Sequence, residues 1–341
     1  MPLPILALTM GDPAGIGPEI TAKALADRDI HKECLPFVVG DLEIMKQEEK
    51  YLQGGIFTRV SSPAEAASLP SGNFGVFQPG EALRGICPGE LSGEAGKAAA
   101  SYVKAAIRMA KEDTIQGIVT APLNKAALHM GGENYPGHTE MLAEGFGVSQ
   151  YAMVLAAEGR YVFHVTTHLS LKDAIASLTV DKVYGRIHLA YLLALALDQA
   201  KDVIGVAGVN PHAGEGGLFG REEMDIIAPA VEKAVKNGIN AKGPLPADVL
   251  FPKMARGDYH FAVAMYHDQG HAVFKALYFD TGVNITIGLP VIRTSVDHGT
   301  AFDIAGKGIA ESRSMIEAVR LAAKLGNRWK DISRKAQSGE I

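Results

Sequence analysis

The sequence predicts an α/β fold with a mostly parallel sheet. Short apolar runs rich in β-branched residues alternate with Ala- and Leu-rich stretches of helical length, and several of the short runs empty into polar or glycine-rich loops. Residues 5–10 read as a strand, and Gly11-Asp12-Pro13-Ala14-Gly15-Ile16-Gly17-Pro18-Glu19 as a loop entering a helix, with Pro18 suited to its first position and Glu19 to its first turn. Residues 35–40 form a second strand candidate. The Ala-rich stretch 93–111 is helical by propensity, and residues 117–120 are a strand ending at Ala121-Pro122-Leu123-Asn124-Lys125. Residues 162–167, 203–209 and 262–266 read as further strands, and 180–200 and 224–236 as helices. His164 and His168 have helical spacing, but Val165-Thr166-Thr167 between them favours a strand. A closing amphipathic helix spans 314–329, with Ser314 and Glu317 as a capping box and a frayed polar tail beyond. No repeat, linker or break in composition marks a domain boundary.

Composition narrows the function classes. A chain of 341 residues, 47% hydrophobic and 21% charged, is ordinary for a soluble globular protein. A net charge of -5 argues against nucleic acid or an anionic membrane as the main partner, while leaving room for a local basic pocket. Two cysteines, Cys34 and Cys87, give neither a disulfide framework nor a C-x-x-C metal site, which fits a cytoplasmic location. The first residues lack a basic segment and a long apolar run, so they do not read as a signal peptide. No run approaches the roughly 18 apolar residues of a membrane span.

Four constellations carry chemistry. The first is three histidines in dense polar segments: Thr166-Thr167-His168, Asn210-Pro211-His212-Ala213-Gly214-Glu215 and Tyr266-His267-Asp268-Gln269-Gly270-His271. Each falls at or just past a strand end, where ligands gather in α/β folds. Three imidazoles can hold a divalent cation and leave positions open for substrate. His271 reads either as a fourth ligand or as a substrate contact, and His164 as a core ring. The second is Tyr135-Pro136-Gly137-His138-Thr139-Glu140, where a turn presents His138 and Thr139 near a helix start; this suits phosphate or carboxylate, against a plain N-cap by Thr139. In the third, Lys275, Asn284 and Arg293 lie in or beside apolar strands and can meet an anion. The fourth, residues 296–308, reads either as a glycine-containing surface loop or as a ligand loop. No G-x-G-x-x-G fingerprint or phosphate-loop Gly-Lys-Ser/Thr occurs, and the glycines at 11–17 are wrongly spaced for one.

His298-Gly-Thr-Ala-Phe-Asp-Ile-Ala-Gly-Lys-Gly308 resembles the nicotinamide-nucleotide loop of the isocitrate and isopropylmalate dehydrogenase fold. Within that fold the chain is similar to the 4-hydroxythreonine-4-phosphate dehydrogenase family, through residues 9–19, 120–125, 135–140, 166–168, 210–215 and 266–270 as well. The resemblance implies one catalytic chain of two interleaved α/β subdomains with a cleft between them. It implies His168, His212 and His267 as metal ligands shared across a homodimer interface. His138, Thr139, Lys275, Asn284 and Arg293 take the substrate positions, and His298, Gly299, Thr300, Ala301 and Asp303 the cofactor positions. The reaction implied is oxidation of a secondary alcohol by NAD or NADP, followed by loss of carbon dioxide from the 3-keto acid. Zinc is the first choice of metal for three imidazoles, with cobalt, nickel, manganese or magnesium open. Asp248 and Asp268 are candidates to orient ligands or relay a proton, and Lys275 joins them as a candidate catalytic group. The segments around Gly270-His271-Ala272 and Phe279-Asp280-Thr281-Gly282 depart from the vitamin B6 members and are more similar to the paralogous branch acting on D-threonate and D-erythronate 4-phosphates. The alternatives are 4-hydroxythreonine 4-phosphate, a terephthalate cis-dihydrodiol, or a metal-dependent hydrolase or lyase without nucleotide; residues 298–308 weigh against the last.

Overall fold

A computed structural model describes residues 2–341. Its twelve strands are β1 (Ile5–Thr9), β2 (Leu35–Val39), β3 (Ile56–Val60), β4 (Asn73–Phe77), β5 (Gly117–Thr120), β6 (Ala152–Ala157), β7 (Arg160–His164), β8 (Ile204–Ala207), β9 (Ala241–Leu245), β10 (Phe261–Ala264), β11 (Val283–Ile287) and β12 (Ile292–Val296). The chain divides into two compact units, the first made of Met1–Ser149 and Leu289–Asp331, the second of Gln150–Gly288 and Ile332–Ile341. The α/β class expected from the alternation of short apolar runs and helical stretches is the class observed.

In the first unit the strands run β3-β4-β2-β1-β5-β12, all parallel. Parallel strands need cover on both faces, which is why Leu6, Ala7 and Leu8 of β1 are all fully buried. The Gly93–Lys111 helix supplies part of that cover. Ser92 caps it by accepting from the Ala95 N–H (3.3 Å), Glu94 suits its first turn, and Ala99, Val103 and Ala106 lie on its buried face. Gly96 is required there because a Cβ would run into the Ala127 backbone of the neighbouring Lys125–Met130 helix.

In the second unit the order is β11-β6-β7-β10-β8-β9. β11, β6 and β7 pair antiparallel, and the remaining pairs are parallel. β6 and β7 form a hairpin whose two turn residues, Glu158 (φ 48°) and Gly159 (φ 76°), both take the left-handed conformation that matches strand twist. Three adjacent parallel strands, β7, β10 and β8, therefore release their C-terminal loops side by side. A core of Leu155, Val162, Leu250, Phe251 and Phe274 packs beneath.

Several boundaries differ from expectation. The strands read at 162–167, 203–209 and 262–266 end at His164, Ala207 and Ala264; single backbone bonds continue just beyond, while the Val209 and Met265 N–H groups turn to the side chains of Glu223 and Gln269. The helix read at 224–236 opens with a π-helical turn at Glu223–Ile227 before Ala228–Lys236. The closing helix runs Arg313–Ser338 rather than fraying after 329: Trp329 is buried, its Nε1 donates to the Leu289 carbonyl (2.9 Å), and Ser333 is buried beyond it. Ser314 lies inside the helix, where its Oγ accepts from the Asp297 N–H (3.4 Å), so it is not the expected cap. Among the described residues no helix is long and apolar enough to cross a membrane.

Candidate functional site

In the second unit, backbone pairing continues just past the strand ends. The Val165 N–H donates to Ala264 O (2.8 Å), and both the Thr166 N–H and its hydroxyl donate to Met265 O (3.2 and 2.9 Å). That seam brings His168 and His267 to a ring separation of 5.8 Å. His168 sits in a left-handed turn (φ 54°), a strained conformation for a residue with a Cβ. His267 opens the His267–Tyr278 helix, where Asp268 suits the first turn. The two share a 2.7 Å hydrogen bond from His267 Nδ1 to Asp268 Oδ1, leaving Nε2 as a lone-pair donor. A pocket of about 250 Å³ is lined by Thr166, Thr167, His168, Tyr266, His267 and Asp268 together with apolar neighbours.

His212 follows β8 in a run of left-handed residues from 212 to 216 (φ between 44° and 80°). Buried Glu223, 3% exposed, holds that run in place: its Oε1 accepts from the Val209 and Asn210 N–H groups (2.7 Å each), and its Oε2 from Asn210 Nδ2 (2.9 Å). The His212 ring is exposed and lies beside Phe219, with centroids 6.2 Å apart. Gln269 ties the loop ends together, its Oε1 accepting from Met265 N–H (2.7 Å) and its Nε2 donating to Gly208 O (2.6 Å). Among the described residues of a single chain, no group of three His, Cys, Asp or Glu side chains is placed to hold a metal ion.

His271, whose role the sequence left open, stacks on His267 at 3.7 Å and places Nδ1 3.1 Å from Nε2 of buried His164. Gly270 permits this, since a Cβ there would strike the His164 ring. Burial holds His164 well below the usual imidazole value, reinforced by the nearby positive charge that His271, His267 and Arg186 can carry. Arg186 steadies the strand end by donating to His164 O (3.0 Å) and Tyr151 O (2.9 Å). Of the remaining expected residues in this unit, Lys275 is half-buried with Nζ 5.4 Å from the Phe279 ring centre. Asn284, on β11, has a buried Oδ1 with no hydrogen-bond partner. Asp248 is exposed in the first turn of the Ala247–Arg256 helix, in the place a dipole-compensating acid takes.

Of the five expected anion contacts, His138, Thr139 and Arg293 lie in the first unit, and Lys275 and Asn284 in the second. Arg293 on β12 is 3% exposed and donates from Nη2 to Thr120 Oγ1 (2.6 Å) at the end of neighbouring β5. Burial pulls its guanidinium down to about 10, with Glu140 opposing, so it stays charged at neutral pH. His138 opens the His138–Phe146 helix; its Nε2 is buried and unpartnered. Burial first, and then Arg293, hold this ring well below the usual value and therefore neutral. A buried cation next to an uncharged imidazole is an arrangement that can meet a small anion. Thr139 follows His138 in the same turn and is half-buried.

The 298–308 loop is in the same unit. His298, Gly299 and Asp303 are exposed, Thr300 and Ala301 half-buried, and Ala301 is held left-handed (φ 43°). Glu223, Gln269, Arg186 and Thr120 were not singled out from the sequence as site residues. A carboxylate beside a helix reads as surface, and only the fold shows that Glu223 is turned inward.

The family model of the pyridoxal phosphate biosynthetic protein PdxA matches residues 32–322. The chain is 50% identical over 340 residues to a D-threonate 4-phosphate dehydrogenase from Bordetella bronchiseptica, covering 98% of this chain and 96% of that one. It is 43% identical over 329 residues to a 4-hydroxythreonine-4-phosphate dehydrogenase from Desulfosudis oleivorans, covering 94% and 96%. A crystal structure of a 4-hydroxythreonine-4-phosphate dehydrogenase from Klebsiella pneumoniae superposes with a TM-score of 0.86 at 43% identity, over 95% of this chain and 98% of that one.

Proposed function

The chain belongs to the family of the pyridoxal phosphate biosynthetic protein PdxA, a family of dehydrogenases, and from that premise we propose that it is a D-threonate 4-phosphate dehydrogenase. It oxidises the 3-hydroxyl of a phosphorylated four-carbon hydroxy acid with NAD or NADP, and the resulting 3-keto acid loses carbon dioxide. The observation that carries this reading is the 50% identity, over nearly the whole of both chains, to a D-threonate 4-phosphate dehydrogenase.

The donor set suits a divalent cation. His267 is fixed by Asp268 in the tautomer that exposes Nε2, and His168 lies beside it. His168, His212 and His267 would hold the ion, zinc first, with cobalt, nickel, manganese or magnesium as alternatives. When bound, the cation supplies a Lewis acid and the dinucleotide a hydride acceptor. Since the described residues of one chain hold no complete set of ligands, a homodimer that shares this site accounts for the arrangement. Leu169, Leu171, Leu218 and Phe219, all exposed beside the histidine loops, are the apolar surface such a dimer would cover.

Arg293, His138 and Thr139 bind an anionic end of the substrate, and the burial of Arg293 keeps water from its charge. Lys275 and Asn284 meet its polar groups. Asp268 holds the His267 proton at Nδ1, and Asp248 and Lys275 are the further candidates to move a proton. His298, Gly299, Thr300, Ala301 and Asp303 receive the nucleotide.

The test is a screen of D-threonate and D-erythronate 4-phosphates and 4-hydroxythreonine 4-phosphate with NAD and NADP, before and after chelation. Reduced nicotinamide should appear fastest with the threonate, vanish with chelator and return with a divalent cation. A higher kcat/KM for 4-hydroxythreonine 4-phosphate, the reading favoured by the Desulfosudis relative, would replace the substrate assignment. Full activity after complete metal removal would end the metal reading.

A further inference from the structure

The glycine-rich segment at 11–19 fits no phosphate-binding fingerprint, yet the structure gives it a task. It is stitched to the 298–308 loop at both ends. At the near end, the Ile16 N–H donates to Thr300 O (3.0 Å). Gly15 lies so close that a Cβ would fall 2.9 Å from the Thr300 Cβ. At the far end, Lys23 Nζ donates to Gly308 O (3.1 Å), Ala310 O (2.8 Å) and Glu19 Oε1 (2.7 Å). Glu19 Oε1 in turn accepts from the Ala310 N–H (2.9 Å). Glu19 is buried, and Lys23 reaches across the Tyr51 ring, 4.9 Å from its centre. Glu19 and Lys23 are one turn apart on the Gly17–Leu25 helix, so a rigid element carries both halves of the brace.

The loop between these anchors needs holding. Ala301 is left-handed, a strained conformation for a residue with a Cβ. Its own hydrogen bonds, such as Ile304 N–H to Ala301 O (3.0 Å), are short-range turns that shape it without fixing its place. Three charge-assisted bonds to the far end and one backbone bond at the near end supply that placement.

We propose that Glu19 and Lys23 are positioning residues for the nucleotide: they hold the far end of the 298–308 loop so that its exposed backbone is preorganised to receive the dinucleotide. This rests on the reading of that loop as the nucleotide-binding segment. Preorganisation acts on affinity, because an unbraced loop must be ordered at the moment of binding. The brace touches no reacting atom, so its loss should appear in nucleotide binding rather than in the chemical step.

The experiment measures nucleotide dissociation constants and steady-state kinetics for Lys23→Met, Glu19→Gln, Lys23→Arg and His298→Ala, with amide hydrogen exchange across 296–312. Lys23→Met should weaken NAD(P) binding by roughly tenfold, the scale of one lost charge-assisted hydrogen bond. It should raise the nucleotide KM far more than it lowers kcat, and speed exchange at Ala310 and its neighbours alone. Lys23→Arg, which still donates to several acceptors, should recover most of the affinity. Glu19→Gln keeps an acceptor for Ala310 and should weaken binding less, which also covers the case of a Lys23→Met protein that does not fold. Parental nucleotide affinity in folded Lys23→Met and Glu19→Gln overturns the brace. If His298→Ala weakens nucleotide binding while those two do not, the brace falls and the loop assignment stands; if none of the three changes it, both fall.

Discussion

The Arg293–His138 pair of the first unit and the histidine loops of the second are built in opposite ways. Arg293 is deeply buried on a strand and locked by Thr120, and half-buried His138 opens a helix with its Nε2 buried. His168 and His212 sit on left-handed loop residues with exposed rings, and Glu223 and Gln269 hold the start of the loop that carries His212. The pair on regular elements has its charge in place within one chain. The loops present imidazoles without completing an ion site. The difference teaches that desolvation and preorganisation can be supplied by a single subunit, while convergence of three rings on one point calls for more than neighbouring strand ends.

The largest expected effect comes from His267→Ala, which should reduce metal occupancy and activity together to background; metal content by atomic absorption checks it. If occupancy survives, the histidine region is not the ion site and the contrast collapses. Arg293→Ala should keep its metal but raise the substrate KM by about 10–100-fold, as expected from losing a charged hydrogen-bond donor worth about 1.5–3 kcal/mol. Loss of metal in that variant would show that the two regions are not separable. Glu223→Ala, which leaves the Val209 and Asn210 N–H groups without their acceptor, should lower stability by about 1–3 kcal/mol and weaken metal binding. Thermal unfolding and metal titration read the two effects, and a change in neither would remove Glu223 from the support of His212.

The smallest effect is on pH dependence. Burial depresses His138 and His164 below their ordinary value of 6.5, so the unfolded chain binds protons there more readily than the native one. Their contribution to stability is fully present above about 6.5 and is lost as the pH falls towards the depressed native values. Tm measured against pH should decline below about 6.5, and His138→Asn should flatten part of that slope. An unchanged slope would mean that the ring is less desolvated than its surroundings indicate.

Much of the fold was legible because it is periodic. Residues 93–111 and 117–120 were read with the bounds observed, since Ala-rich amphipathicity and a β-branched run are local signals. The strand ends at His164, Ala207 and Ala264 were overrun by two or three residues, because Thr and Val past the sheet edge look no different from those inside it. The frayed tail was wrong for a related reason: Trp329 is buried and bonded to distant Leu289, and Ser333 is buried beyond it.

The sequence by itself determined the kinds of chemistry available: imidazoles past three strand ends, a guanidinium in an apolar run, and a glycine-bearing loop after the last strand. Residue type and local pattern suffice for that, because they depend on neighbours within a few positions. Only the tertiary structure decided that Glu223 faces inward, that Thr120 receives Arg293, that His271 stacks on His267 and that Glu19 and Lys23 reach residues 308 and 310. Those pairings are set by strand order and helix placement, and burial is what turns an ordinary carboxylate or lysine into a fixed anchor.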